Sequence, residues 1–399
     1  MRFPSRFHAV FWKFTGLLFL ATLVSSLDYW SRPNFIASPQ GAWSAPSFSA
    51  FPTSSASQPV HWKLEAQGAV PMPAGMPVAH ASSLLAMPAH HPAAMTIFWF
   101  SGDRESAPNV EIAASQYQRS TQQWTPARLV VNRFAVGAQL GWGIRRLGNP
   151  VPWIDGKGRI HLFVVATGAG GWAASRILHL RQTHPTNTLD ALHFEPLGVL
   201  PLSWLWNTSF LVRNAPLPLE DGGMMLPVYF EIGIKYPAAL RFDADGNFSG
   251  MVRISQRPYL LQPTLTMRSA TEWLALMRDN HQPGKIQVAR TTDAGAHWHD
   301  MPPLTLDNPD AAVAGLSLQP DYMLLLHNSS IGSRTILDWS ASHNGEDWKL
   351  VQNLARGVKG DEFSYPALVW NDSDQRLWIS YTMNRQHIAW KRFSPMIRP

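Results

Sequence analysis

The 399-residue chain contains no cysteine. That excludes a disulfide framework, thiolate catalysis, a lipid-acylated cysteine and every cysteine-based zinc or iron–sulfur site. Charge is sparse as well, at 15 % of residues, and the lysines and arginines form no run or stripe. A net charge of +6 suits an anionic partner or a negative surface, but nucleic acid is not expected. No helical period is sustained beyond the N-terminus. His90-His91 is an adjacent pair in loop-like sequence, and neither a His-x-x-x-His nor an acidic loop of calcium-binding spacing occurs. Neither a metal nor a cofactor is therefore expected.

What the chain does have is apolar bulk: 45 % hydrophobic residues, with 18 Trp and 32 Pro. This is the composition of a core-forming chain, its tryptophans divided between core packing and stacking on sugar rings. The most informative stretch is Thr291-Thr292-Asp293-Ala294-Gly295-Ala296-His297-Trp298, which follows a run of β-formers. Its aspartate can accept hydrogen bonds from the turn's own amides, its glycine supplies a positive φ, and its tryptophan opens the return strand. About fifty positions on, Ala341-Ser342-His343-Asn344-Gly345-Glu346-Asp347-Trp348 keeps the Gly and the Trp, with His343 in the aspartate's place. A period of this size with several short strands per unit marks a propeller blade. The strand and turn series predicts an all-β β-propeller of about six blades, seven being compatible, with the first and last strands closing the ring.

Three segments precede or make up this fold. Residues 1–27 place Arg2, Arg6 and Lys13 around the start of an apolar run. Two readings stand, a signal peptide cleaved near Val24-Ser25-Ser26 or an uncleaved anchor whose N-terminus contacts the membrane. Both export the body, either into the periplasm or facing it. Residues 28–59, rich in Ser, Pro and Ala, read as a linker. The folded body is residues 60–399.

From about residue 80 to 393 the chain resembles the bacterial BNR-repeat (Asp-box) branch of the sialidase superfamily. The segments that carry the resemblance include Trp99-Phe100-Ser101-Gly102-Asp103-Arg104-Glu105, Asn149-Pro150, Gln262-Pro263-Thr264, Leu276-Met277-Arg278, the octet at 291–298, Ser333-Arg334-Thr335, Glu362-Phe363-Ser364-Tyr365-Pro366 and Tyr381-Thr382-Met383-Asn384-Arg385. The resemblance implies three arginines on the substrate carboxylate, a tyrosine nucleophile activated by a glutamate, and an aspartate as general acid. Arg278 and Arg334 match the second and third arginines, and Tyr365 the tyrosine; two guanidiniums suit a bidentate grip on a carboxylate. Three positions depart from the pattern. His80 stands where the first arginine belongs, Asn109 where the acid belongs and Gln262 where the activating glutamate belongs.

Two readings of His80 follow: an acid–base imidazole, as in related families that act on uronic-acid glycans, or a residue hydrogen-bonded at a strand end. Glu231, Glu105 and Asp103 are carboxylates able to replace the missing acid or base. Equally, Glu105 and Asp103 pair with arginines such as Arg104, and Glu231 braces Lys235. Glu362, close to Tyr365, is expected to orient an arginine. The expected protein is an exported, sialidase-like exo-glycosidase acting on terminal acidic sugars of an oligosaccharide or polysaccharide. Its expected catalytic residues are Tyr365, His80 and Glu231, with Arg278, Arg334, Arg104, Asn109, Gln262 and Glu362 around the substrate. The departures at Asn109 and Gln262 keep two alternatives open: a non-catalytic glycan-binding propeller of an envelope polysaccharide system, and a uronic-acid-directed lyase.

Overall fold

A computed structural model describes residues 5–31, 51, 60–105, 107–281 and 284–396. The helix Ser5–Ser31 runs past residue 27, and of the expected linker only that helix end and Phe51 fall within the described residues. Phe51 is 3 % exposed and packs against Trp62, Tyr322 and Trp370.

The strands assemble into six antiparallel blades of four or five strands, with one two-stranded ribbon beside them. The inner strands, in chain order, are Val78–Ala86, Arg146–Ile154, Phe210–Val212, Leu260–Met267, Ala314–Gln319 and Phe363–Asn371. The ring closes as expected: His61–Ala69 pairs with His387–Met396, so the first strand completes the last blade. Middle strands such as Ala93–Gly102 are buried at every position, which is why they read as continuous apolar runs rather than alternating ones. Trp99, Trp273, Trp339 and Trp378 are fully buried packing residues. One element had no signal in the sequence. The helix Arg133–Leu140, capped by Asn132 and by Gly141 at φ 62°, is too short for a 3.6-residue period to show.

On one face of the disc the hairpin tips are braced from within. Asp293 Oδ1 accepts from His297 N at 2.9 Å and from Thr291 Oγ1 at 2.7 Å, and Trp298 Nε1 donates to Gly295 O at 3.1 Å. The next blade corrects the sequence reading. Asn344, not His343, takes the aspartate's part, accepting from Glu346 N at 2.9 Å and Asp347 N at 2.8 Å in a loop one residue shorter, while Trp348 Nε1 donates to Gly345 O. Asp155 and Asp243 brace the turns of the second and third blades in the same way. Behind Asp155 lies a buried chain: His161 Nε2 meets Asp155 Oδ2 at 3.1 Å, and His161 Nδ1 meets His179 Nε2 at 2.7 Å.

Four inner strands carry the same irregularity. Pairing breaks between His80 and Ser83, Gly148 and Val151, Leu261 and Thr264, and Ser364 and Ala367. The first residue left unpaired has positive φ each time: Ala81 54°, Asn149 44°, Gln262 51°, Tyr365 52°. Bulges of this kind re-aim side chains and free backbone groups, and the third blade meets the freed carbonyls. Arg213, 2 % exposed, donates Nη2 to Tyr365 O at 2.6 Å and to Pro366 O at 2.9 Å on the opposite blade. Asn214 Nδ2 donates to Gln262 O and Pro263 O, each at 3.0 Å. The axis is thereby reduced to a cavity of about 20 Å³ between Arg213, Asn214, Thr264 and Gly315, room for about one water molecule.

Two outcomes follow. Arg213→Met leaves both carbonyls unsatisfied, costing roughly 1–3 kcal/mol for each; a denaturation midpoint equal to that of the parent would contradict the bridge. Burial pulls the pKa of His179 from 6.5 to about 3, so the unfolded chain binds more protons below about pH 6.5 and stability falls as pH drops from there. His179→Gln should flatten urea midpoints measured between about pH 7 and 5; an unchanged slope would refute the assignment.

Candidate active site

In an antiparallel blade the inner strand starts, the hairpins after second strands and the crossovers between blades share one face, here the face opposite the Asp-braced tips. Tyr365 lies there on its bulge. A positive φ is costly for a bulky residue, and the surroundings fix it from three sides. The His80 ring centroid is 4.3 Å from that of Tyr365, the Arg213 guanidinium lies 5.1 Å from the ring centroid, and Gln262 Nε2 donates to the hydroxyl at 3.3 Å. Gln262 Nε2 also meets the buried Tyr229 hydroxyl at 3.3 Å, while its Oε1 accepts from Arg278 Nη1 at 3.1 Å. One amide thus ties two phenols to an arginine.

Arg278 ends the second strand of the fourth blade, Trp273–Asp279, and donates Nε to Asp310 Oδ1 at 2.5 Å. Arg334 lies in the hairpin before Ile336–Ser342; its Nη1 reaches Glu362 Oε1 at 3.1 Å and its Nη2 the Asp310 carbonyl at 2.7 Å. A third guanidinium joins them from a segment whose role the sequence did not declare. Arg385, between Arg376–Met383 and His387–Met396, donates Nε to Glu362 Oε2 at 2.9 Å and pairs with Glu105 through Nη1. Glu362 pairs with two arginines, Arg334 and Arg385. Arg104 is exposed, and Arg385 rather than Arg104 is the partner of Glu105. Asp103 is also exposed; Asn109 Oδ1 accepts from its amide at 3.3 Å, a loop brace. Glu231 follows Met224–Phe230, and Lys235, its expected partner, donates to Asn280.

Burial and hydrogen bonding set the protonation states. Burial, aided by the Arg385 charge, pulls His80 to about 3, so the imidazole is neutral near pH 7; its Nδ1 meets no partner among the described residues. Burial alone would raise Glu362, but hydrogen bonds from Arg385 and Ser364 and the charges of Arg385 and Arg334 hold it near 2. Glu231 goes the other way, burial raising it against the pull of Arg278 and Lys235. Buried Tyr229 is raised too, by burial and then by Glu231. The two carboxyls are thus pushed in opposite directions, Glu362 down by its arginines and Glu231 up by burial. Beside this cluster a cleft of about 550 Å³ is lined by Arg334, Lys359, Asp361, Glu362 and Arg385, within the usual range for a ligand pocket. Tyr365, Arg278 and Glu231 do not line it; the cleft and the cluster share Arg334, Glu362 and Arg385. Among the described residues no three His, Asp or Glu side chains converge as a metal site.

Fold and site together define a six-bladed propeller of the sialidase type. The chain belongs to the BNR repeat-like domain family, whose profile matches residues 93–379. No curated protein matches it. Among solved structures it is similar to the Hadza microbial sialidase Hz136, at 16 % identity and TM-score 0.64, over 80 % of this chain and 66 % of that one. It is also similar to Trypanosoma rangeli sialidase, at 10 % identity and TM-score 0.64, over 84 % and 60 %. A protein of unknown function from Dyadobacter fermentans matches at 13 % identity and TM-score 0.64, over 84 % of this chain and 99 % of its own. The chain thus spans under two thirds of the length of either sialidase.

Replacing Arg385 by Met removes the main hydrogen bonds and charge that hold Glu362 down. Its pKa should climb from about 2 toward the ordinary 4.5, read by carbon-13 NMR of labelled glutamate; an unmoved titration would show that Arg385 is not its partner in solution.

Proposed function

We propose that the protein is an exported exo-glycosidase that releases a terminal acidic sugar from a glycan, with residues 60–399 as the catalytic body. The observation that carries this reading is the gathering of Arg278, Arg334, Arg385 and the Tyr365 phenol around Gln262, Asp310 and Glu362, with Glu231, a carboxyl that burial pushes up, beside Arg278. Each guanidinium has five N–H donors in a planar fork, so the pairings with Asp310 and Glu362 orient the forks without exhausting them. A sugar carboxylate placed among the three is gripped as an anion. Tyr365 then attacks the anomeric carbon as the glycosidic C–O bond breaks, its phenolic proton passing to solvent because Gln262 cannot accept it. Glu231 delivers a proton to the departing oxygen. Water then cleaves the glycosyl–tyrosine bond with Glu231 as base, so the anomeric configuration is retained. His80, neutral under Tyr365, positions the ring rather than moving protons. Export is supported by the sequence positions of Arg2, Arg6 and Lys13 before and early in the apolar run, the charge bias that keeps the N-terminus of such a segment in the cytoplasm and sends the following chain across.

One observation favours a second reading, a glycan-binding propeller without turnover: the residue on the Tyr365 hydroxyl is an amide, Gln262. Sugar release from sialosides and uronic-acid-terminated glycans decides between them. For an enzyme, Tyr365→Phe and Glu231→Gln each lower kcat by about 100-fold or more while binding by calorimetry changes little. Binding without release by the parent protein would install the second reading.

A further inference from the structure

The helix at the N-terminus and the propeller are not independent. Ser203 Oγ donates to both carboxylate oxygens of Asp28, at 2.7 and 2.8 Å, and Leu205 N donates to the same group at 3.2 Å. Trp206 Nε1 donates to Ser25 Oγ at 2.9 Å. Arg253 donates to the Tyr29 hydroxyl and carbonyl, each at 3.1 Å, and Tyr29 packs edge-on against Tyr236. The last turns of the helix thus have a built seat, in which Asp28 is wholly buried. Residues 10–23 of the same helix are exposed throughout. The apolar span Val10–Trp30 has 21 residues; with its last turns held in the seat, the stretch of the helix from Ser5 to Val24 is about 30 Å long at 1.5 Å per residue, the thickness of a bilayer's hydrocarbon core.

The seat lies on the face that carries the candidate site. Ser203–Trp206 is in the crossover from the second blade to the third, Arg253 ends the third blade's outer strand, and Tyr236 starts its third strand. Exposed apolar side chains gather on that face too: Phe134, Trp204, Leu205 and Trp206 in crossovers, and Ile232 and Ile234 in the hairpin that carries Glu231. Trp204 is 62 % exposed and Ile234 60 %. Among the described residues the hairpin tips of the opposite face hold none of the large exposed apolar side chains. Water does not favour such an arc; tryptophans at the exit of a membrane-length helix suit the interfacial belt of a bilayer.

We propose that the helix is retained and that the site-bearing face rests on a lipid bilayer, so that the site meets a saccharide carried on membrane lipid. The saccharide half rests on the glycosidase reading above; the membrane half does not. The chain lacks cysteine, so Trp204→Cys, Ile232→Cys and, on the opposite face, Glu346→Cys each give one labelling site in the full-length protein. Reconstituted in vesicles of phosphatidylethanolamine and phosphatidylglycerol, fluorophores at 204 and 232 should be quenched several-fold more by lipids spin-labelled near the headgroup than the fluorophore at 346. Aqueous iodide should give the reverse order. Equal quenching at all three sites, or shielding at 204 and 232 from both quenchers as in a protein–protein contact, overturns the membrane half. So does an intact mass for the cellular protein that lacks the helix. These readouts need no turnover. For the saccharide half, release from an acidic glycolipid in the vesicles should exceed release from the same soluble glycan by about tenfold or more, through effective concentration. Equal rates overturn that half alone, and no release from either substrate removes the glycosidase reading while the optical result stands.

Discussion

The buried Arg213 guanidinium is the contact on which the site depends. The inner strands break pairing to turn Gln262 and Tyr365 onto the face, and each break frees carbonyls that the interior must satisfy. Just past the short inner strand Phe210–Val212, Arg213 takes up the Tyr365 and Pro366 carbonyls across the axis and Asn214 those of Gln262 and Pro263 on the neighbouring blade. Burial lowers the Arg213 pKa only to about 10, so the charge persists near pH 7 under the aromatic face of Tyr365. Structure and site share one device: the group that closes the channel also fixes the phenol.

Around that phenol the charges are arranged in opposed pairs. Asp310 and Glu362 hold Arg278, Arg334 and Arg385 in place, which costs some attraction for an incoming anion and gives orientation in return. His80 packs against Tyr365 from the first blade, and the third guanidinium arrives from the Arg385 hairpin on another blade.

The fold was legible because it rests on local rules: alternating strands and turns, Asx-braced hairpins, and a period repeated around the ring. The site was legible in part. Arg278, Arg334, Tyr365, Gln262 and Glu362, the positions the family resemblance singled out, lie on one face because each sits at a fixed place in its own blade. Asp310, Tyr229 and Arg213 come together only through closure of the ring, and nothing local marks them; Arg385 closes a segment that carries the family resemblance, but its role among the arginines shows only in space. Tyr229 stands in an apolar strand that reads as core, and Arg213 follows a three-residue strand that pattern alone does not resolve. The misplacement of the aspartate role at His343 had a simpler origin, a loop shortened by one residue that put Asn344 in register.

The proposed activity turns on whether Tyr365 reacts with an acidic sugar. The direct measurement is mass spectrometry of the protein after incubation with fluorinated acidic glycosyl donors, sialic-acid and uronic-acid types, whose glycosyl–enzyme bonds hydrolyse slowly. A nucleophilic Tyr365 gives a glycosyl mass increment on the peptide that contains it. A donor that binds at the arginines yet leaves Tyr365 unmodified would contradict that role and leave a propeller that recognises the sugar without cutting it.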